Sequence, residues 1–304
     1  MSDPMILVTG TDFSPHARAA VHRAALLAGQ HRARLDVVTT LPLRTIHRLR
    51  DVLGLGEDEV SAQLHEVRRL QLEILQRDLA RDYTCEVNIH ITQGRAHQQL
   101  LQHARDRQAT LLVVGAQGEH GPLRSFLGGT SHKLLRLIDR PLLCVRRMPK
   151  GAYRSVLVAI DFSQHSQAAL RLAAELAPEA TLHAVHVQEP LLDMKLVSPG
   201  MSQEALQRYR DQCESDARRE LRSLLLQAGA SAATQENSEV IAGDPTHALV
   251  RRASELRADL IVLGRAGQSI LSNLFLPSTG DSGQAETDAD VLVLQGEEAT
   301  PAAR

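Results

Sequence analysis

Short apolar runs alternate along this chain with longer stretches whose apolar residues recur every three or four positions, and the whole alternation occurs twice. Runs of the first kind read as buried strands and stretches of the second kind as amphipathic helices. The first run, Met5 to Thr9, is a strand. A helix pattern begins near Pro15, with Ser14 placed to cap it and proline at its first turn. ARLDVVTTL reads as a second strand. Residues 57–82 carry Leu64, Val67, Leu70, Leu72, Ile74, Leu75 and Leu79 on broad helical faces. CEVNIHIT alternates as a third strand, AHQQLLQHARDRQ is a helix, TLLVVG a buried strand, HKLLRLI a helix and PLLCVRR a final strand. Repeated strand–helix alternation with short continuous apolar strands predicts a mostly parallel sheet covered by helices.

The second half repeats this order. SVLVAI and ATLHAVHV are its first two strands, residues 202–228 a long helix, and ENSEVIAG a third strand. PTHALVRRASEL is a helix, followed by the strands DLIVLG and DVLVLQ. One element is poor: TGDSGQAETDA stands where the first half has SHKLLRLIDR, and it has no apolar period. It reads as loop, partial helix or disorder.

The two halves also match residue by residue. ILVTGTDFSPHARAAVHRAALLA returns as VLVAIDFSQHSQAALRLAAELA, with Asp12, Phe13 and Ser14 answered by Asp161, Phe162 and Ser163, each 149 positions on. Gly94, Gly115 and Gly118 keep that offset to Gly243, Gly264 and Gly267. A repeat this long is a duplicated domain, since each copy can bury its own core. The expected domains are residues 1–149 and 150–304, joined by the short segment RRMPKGAY.

Composition narrows the function classes. With no Trp, three Tyr and four Phe, the cores must be aliphatic. Lys and Arg number 34 against 36 acids, so no basic footprint for nucleic acid is present. Cys85, Cys144 and Cys213 are isolated, without disulfide-framework or CxxC spacing, and Cys144 lies in the apolar run LLCV. No signal-like start and no membrane-length apolar run is seen, so a cytoplasmic chain without membrane contact is expected.

Candidate chemistry concentrates in VVGAQGEHGPLRSFLGGTS. Gly115 ends a strand, Gly118 follows, and Gly128, Gly129, Thr130 and Ser131 open the next helix. Glycines allow close backbone approach, and a helix start offers free N–H groups and a favourable dipole to an anion. Asp12 lies just past the first strand, where a carboxylate can accept from ribose hydroxyls or simply cap the following helix. His183 and His186 in HAVH fall on opposite strand faces and form no ready metal pair. His120 and Arg124 in the glycine loop are candidates to steady a phosphate, though surface exposure explains them as well. No GxxxxGK[ST] pattern and no nucleophile beside paired carboxylates is present, so efficient phosphoryl transfer is not specified.

VTGTDFSPHARAAVHRA, VAIDFSQHSQAALRLA, VVGAQG with LGGTSHKLLR, and VLGRAG together resemble the universal stress proteins in tandem form, across essentially the whole chain. The resemblance implies two open-sheet, Rossmann-like α/β domains, each with a mostly parallel five-stranded sheet. It implies pairing of the domains within the chain, often through strand five, here near Leu142–Val145 and Val291–Leu294. Many members bind ATP through Gly, two residues, Gly, nine residues, Gly, then Ser or Thr; others lack the pattern and bind no nucleotide.

Carried onto this chain, the resemblance puts Asp12 at the ribose, Thr40 near the base, and Gly115, Gly118, Gly128, Gly129, Thr130 and Ser131 at the phosphates. Gly129 stands where a Ser or Thr is usual. The second half keeps Asp161, Val187, Gly264 and Gly267, but Pro277 replaces the third glycine before Ser278 and Thr279. Proline has no N–H to donate. The expectation is therefore ATP, with or without Mg, chiefly in the first half, and a weaker second set. The implied role is a stress-response protein controlled by nucleotide through conformation or an unknown protein partner. The alternatives are a nucleotide-free interaction module and a slow ATPase or phosphotransferase. A homodimer is an open alternative for assembly.

Overall fold

A computed structural model describes residues 5–116, 128–137, 139–189, 202–264 and 287–294. The chain divides into two compact units, Met1–Ala152 and Tyr153–Arg304.

Unit 1 has strands β1 (Ile6–Gly10), β2 (Arg34–Leu41), β3 (Glu86–Gln93), β4 (Leu111–Gly115) and β5 (Leu142–Val145). Its helices are α1 (Pro15–His31), α2 (Leu43–Leu53), α3 (Glu57–Tyr83), α4 (Ala96–Asp106) and α5 (Gly129–Leu137). The strands pair in parallel in the order β3-β2-β1-β4-β5. Chain direction across the sheet reverses between β1 and β4, so a crevice opens at the carboxyl ends of those two strands. β4 and β5 are buried at every residue, as strands covered on both faces must be.

Unit 2 repeats the plan with β6 (Ser155–Ile160), β7 (Thr181–Gln188), β8 (Glu239–Ala242), β9 (Leu260–Leu263) and β10 (Asp290–Val293). These are parallel in the order β8-β7-β6-β9-β10. Its described helices are α6 (Gln164–Leu176), α7 (Gln203–Ala228), α8 (Ala232–Glu236) and α9 (Pro245–Glu255). Both units are thus open parallel α/β sheets, the fold class expected from the alternation of apolar runs.

Local chemistry explains the element ends. Ser14 Oγ accepts from Ala17 N at 3.3 Å, capping α1, and Pro15 occupies the first turn where its missing N–H costs nothing. Cys144 is fully buried. Two features differ from the sequence expectation. Helix α2 fills a stretch to which the sequence pattern assigned no element; it fully buries only Ile46, against Leu41 and Val60, and ends at Gly54 in the left-handed region (φ 66°). In α3, Leu72 and Leu79 are buried but Val67, Leu70 and Ile74 are about half exposed, so the broad apolar face exceeds what the sheet covers. The weak segment TGDSGQAETDA lies, but for its last three residues, outside the described residues.

Candidate functional site

The crevice of unit 1 is a cavity of about 670 Å³. Strand β1 delivers Thr11 and Asp12 to its floor, and the chain turns there through Phe13, a non-glycine residue at φ 67°. That left-handed turn is held by side chains: Thr11 Oγ1 accepts from Phe13 N at 3.0 Å, and Asp12 Oδ1 accepts from Ser14 N at 3.0 Å. Thr39 donates its hydroxyl to the Thr11 carbonyl at 2.8 Å, tying β2 to the same turn. Asp12 is exposed at the cavity, and Ser14, not Asp12, caps α1. Thr40, one residue before the end of β2, shares a 3.1 Å hydroxyl contact with Thr92 and lines the cavity.

The opposite wall comes from β4 and α5. Gly115 ends β4 where α1 begins: a Cβ there would stand 2.6 Å from the His16 carbonyl oxygen. Ser131 donates to the Gly115 carbonyl at 2.7 Å, locking the helix start onto the strand end. The Gly128 N–H is bonded to the Ala116 carbonyl at 2.7 Å, so it is not spare for an anion. The donors left to a ligand are the first-turn N–H groups of α5, from Gly129 onward, which helix geometry leaves without intrahelical acceptors. Thr130 also lines this wall.

Two cations that the sequence did not single out complete the cavity. Lys133 projects from the second turn of α5, and Arg68 reaches in from α3, its guanidinium carbon 5.0 Å from the centre of the Phe13 ring. Burial, then the charges of Lys133 and Arg95, push the His97 imidazole below its ordinary pKa. Lys133 gives the wall near α5 a positive charge, while Asp12 brings a negative one to the same cavity. The sequence signal for Lys133 was its place two residues after Ser131. Arg68 comes from an arginine-rich helix in which nothing distinguished it.

Unit 2 handles the equivalent turn differently. Phe162 is again left-handed, at φ 62°. Asp161 Oδ1 accepts from Ser163 N (3.0 Å), Ser163 Oγ (2.6 Å) and Ser166 Oγ (2.5 Å). Burial works against the Asp161 charge, but these bonds outweigh it and hold the carboxyl below its ordinary range. In place of a Thr39 hydroxyl, the His186 ring nitrogen Nδ1 meets the Ile160 carbonyl at 2.8 Å, and the ring stacks on Phe162 with centroids 4.1 Å apart. Gly264 directly follows β9, with His165 Cβ 3.3 Å from where its Cβ would be. Val187 is partly buried near the end of β7.

Of the residues singled out from sequence, Asp12, Thr40, Gly115, Gly128, Gly129, Thr130 and Ser131 converge on one cavity. Gly118, Gly267, Pro277, Ser278 and Thr279, with His120 and Arg124, lie outside the described residues.

A separate polar cluster escaped the sequence reading because its members come from three elements. Asp36 of β2, fully buried, faces His90 of β3 and His103 of α4. Asp36 Oδ2 lies 2.9 Å from His103 Nε2, 3.5 Å from His90 Nε2 and 2.9 Å from Arg107 Nε; Oδ1 accepts from Asn88 at 3.2 Å. Burial opposes the Asp36 charge, yet His103, His90 and Asn88 prevail and hold its carboxyl well below the usual carboxylate range.

Comparison with known proteins agrees with the fold. The profile of the Universal stress protein family matches residues 5–146 and again 152–295. The universal stress protein YxiE of Bacillus subtilis is 31% identical over 149 residues, which are 47% of this chain and 97% of that protein. A universal stress protein of Thermus aquaticus is 30% identical over 145 residues, 47% of this chain and 99% of its own. The crystal structure of a universal stress protein from Archaeoglobus fulgidus superposes with a TM-score of 0.61 at 16% identity, covering 96% of each chain. No helix among the described residues is long and apolar enough to cross a membrane. With the family's profile matched twice in succession, this chain belongs to the universal stress protein family and carries two of its domains in tandem.

Proposed function

We propose that the chain is a nucleotide-responsive stress protein of the cytoplasm. It binds ATP, with or without magnesium, in unit 1 and acts through a protein partner, not through efficient catalysis. The observation that carries this reading is the convergence of Asp12, Thr40 and the Gly128–Ser131 helix start on one cavity that also holds Lys133 and Arg68. A carboxylate at one wall suits ribose hydroxyls. First-turn N–H groups and a lysine at the other suit phosphates. Nothing around the cavity among the described residues pairs a general base with a nucleophile, which fits binding better than turnover.

A nucleotide-free interaction module is the second reading, and it too has an observation behind it. Gly115 is required by the His16 backbone, and the Gly128 N–H is already bonded to the Ala116 carbonyl, so both glycines have structural work without any ligand. Native mass spectrometry of the purified chain, with titration calorimetry of ATP, separates the two. The nucleotide reading expects about one ATP per chain, lost in G118V, where a branched side chain would take the space a phosphate needs, and kept in G267V, because Pro277 already removes a donor from the second set. No bound nucleotide and no heat at millimolar ATP would sink it and leave the interaction module.

A further inference from the structure

We propose that unit 1 binds a divalent transition-metal ion of the zinc class between Asp36, His90 and His103. The three donor atoms lie within 4.8 Å of one another. A tetrahedral zinc ion, with bonds of about 2.0–2.1 Å to N and O, needs donors roughly 3.3 Å apart. The Oδ2–Nε2 separations of 2.9 Å to His103 and 3.5 Å to His90 bracket that spacing. The carriers sit on β2, β3 and α4, and the two imidazoles already lie against each other, tilted by 52° with ring centroids 4.4 Å apart. His90 Nε2 is buried, and its one polar neighbour in the cluster, Asp36 Oδ2, stands at 3.5 Å without hydrogen-bond geometry, a poorly met polar atom of the sort ordinary folding avoids. A cation would take that lone pair. His103 would coordinate through Nε2 as the neutral ring, releasing to solvent any proton it shares with Asp36. Asn88, on Asp36 Oδ1, would orient the carboxylate from outside the coordination shell.

Arg107 is the competing cation. Its Nε holds Asp36 Oδ2 at 2.9 Å, but its side chain is 41% exposed and free to swing outward. The site is separate from any magnesium on a nucleotide phosphate. Two imidazoles select zinc, cobalt or nickel over magnesium. Asp36 also lies four residues back along β2 from Thr40, about 13 Å at strand rise. Three protein donors leave one coordination position open.

The test is calorimetric titration of the metal-free full chain with zinc alone, beside thermal melts with and without zinc. The chain has fourteen histidines, so comparison with variants decides. The expected result is a site weakened at least tenfold in both H90Q and H103Q and tightened several-fold in R107A. Zinc should raise the melting midpoint of the wild type and not that of H90Q. Cobalt alone should give a four-coordinate visible absorption that H90Q loses. H90Q stands by itself if H103Q fails to fold, because His90 is a third exposed. Equal zinc affinity and equal thermal shift in wild type and H90Q would overturn the site. Equal affinity in R107A and wild type would overturn the placement of the ion on Asp36 Oδ2.

Discussion

Ser166 donates its hydroxyl to Asp161 Oδ1 at 2.5 Å and accepts from the Asp161 N–H at 2.9 Å. Its counterpart in unit 1 is Ala17, which has no hydroxyl and lines the cavity. The carboxylate after the first strand is thus engaged by its own helix in unit 2, whereas Asp12 stands at the edge of an open crevice. One substitution between copies changes what the aspartate faces.

This relationship gives a pH dependence. The folded pKa of Asp161 is lowered, so its stabilisation is present above the ordinary carboxylate value and is lost as pH falls through the depressed folded value. D161N should lower stability at pH 7 by about 1 kcal/mol, a small figure because the group is only partly buried and solvent screens it. The gap between D161N and wild type should close at acid pH. Urea unfolding of both proteins at pH 7 and at pH 3 reads it; a gap unchanged at pH 3 would contradict the assignment.

Gly115 and Gly264 are equivalent in sequence but not in tolerance. The added carbon in G115A meets backbone at 2.6 Å, while that in G264A meets the His165 side-chain Cβ at 3.3 Å. G115A should cost about 2–3 kcal/mol and G264A less than about 1. Denaturation midpoints of the two variants give the comparison, and equal losses would show that α1 can shift away from β4.

If phosphates lie beside α5, two changes should follow. K133M should weaken ATP by about 1 kcal/mol, roughly fivefold, and leave adenosine unaffected. ATP should also raise the pKa of His97, which burial and the neighbouring cations hold down, whereas adenosine should not. Imidazole proton shifts in an NMR titration report it. An unmoved His97 alongside saturating ATP would place the phosphates elsewhere.

Much of this architecture was legible in the sequence. Buried parallel strands announce themselves as continuous apolar runs, so β4 and β5 could be placed within a residue or two. Ser14 and Pro15 fixed the start of α1 through capping chemistry that acts locally. Helix α2 was hidden because it fully buries only one side chain, and a charged eleven-residue segment looks like a connection. Val67, Leu70 and Ile74 carry a helical period, but period reports a face and not what covers it. The cavity residues near glycines could be found by motif. Arg68 and the Asp36–His90–His103 cluster could not, since residues far apart in sequence meet only when strands register and helices pack.

The exposed α3 residues give a plain check on packing. I74K should change stability by no more than about 0.5 kcal/mol, whereas L72A should cost about 2–5. Comparable losses would mean that Ile74 is covered in solution.

Helix α2 also sets a timescale. It borders the cavity through Thr45, while Ile46 is its one fully buried side chain, with Leu49 partly buried beside it and exposed ion pairs from His47 and Arg50 to Glu57. A segment held so lightly opens often, at a small fraction of the free energy needed to open the central strands. Its amide hydrogens should therefore exchange with deuterium well before those of α1. Any molecule that seats against Thr45 and Thr40 together would slow that exchange, so occupancy of the crevice could be read from α2 without a label on the ligand.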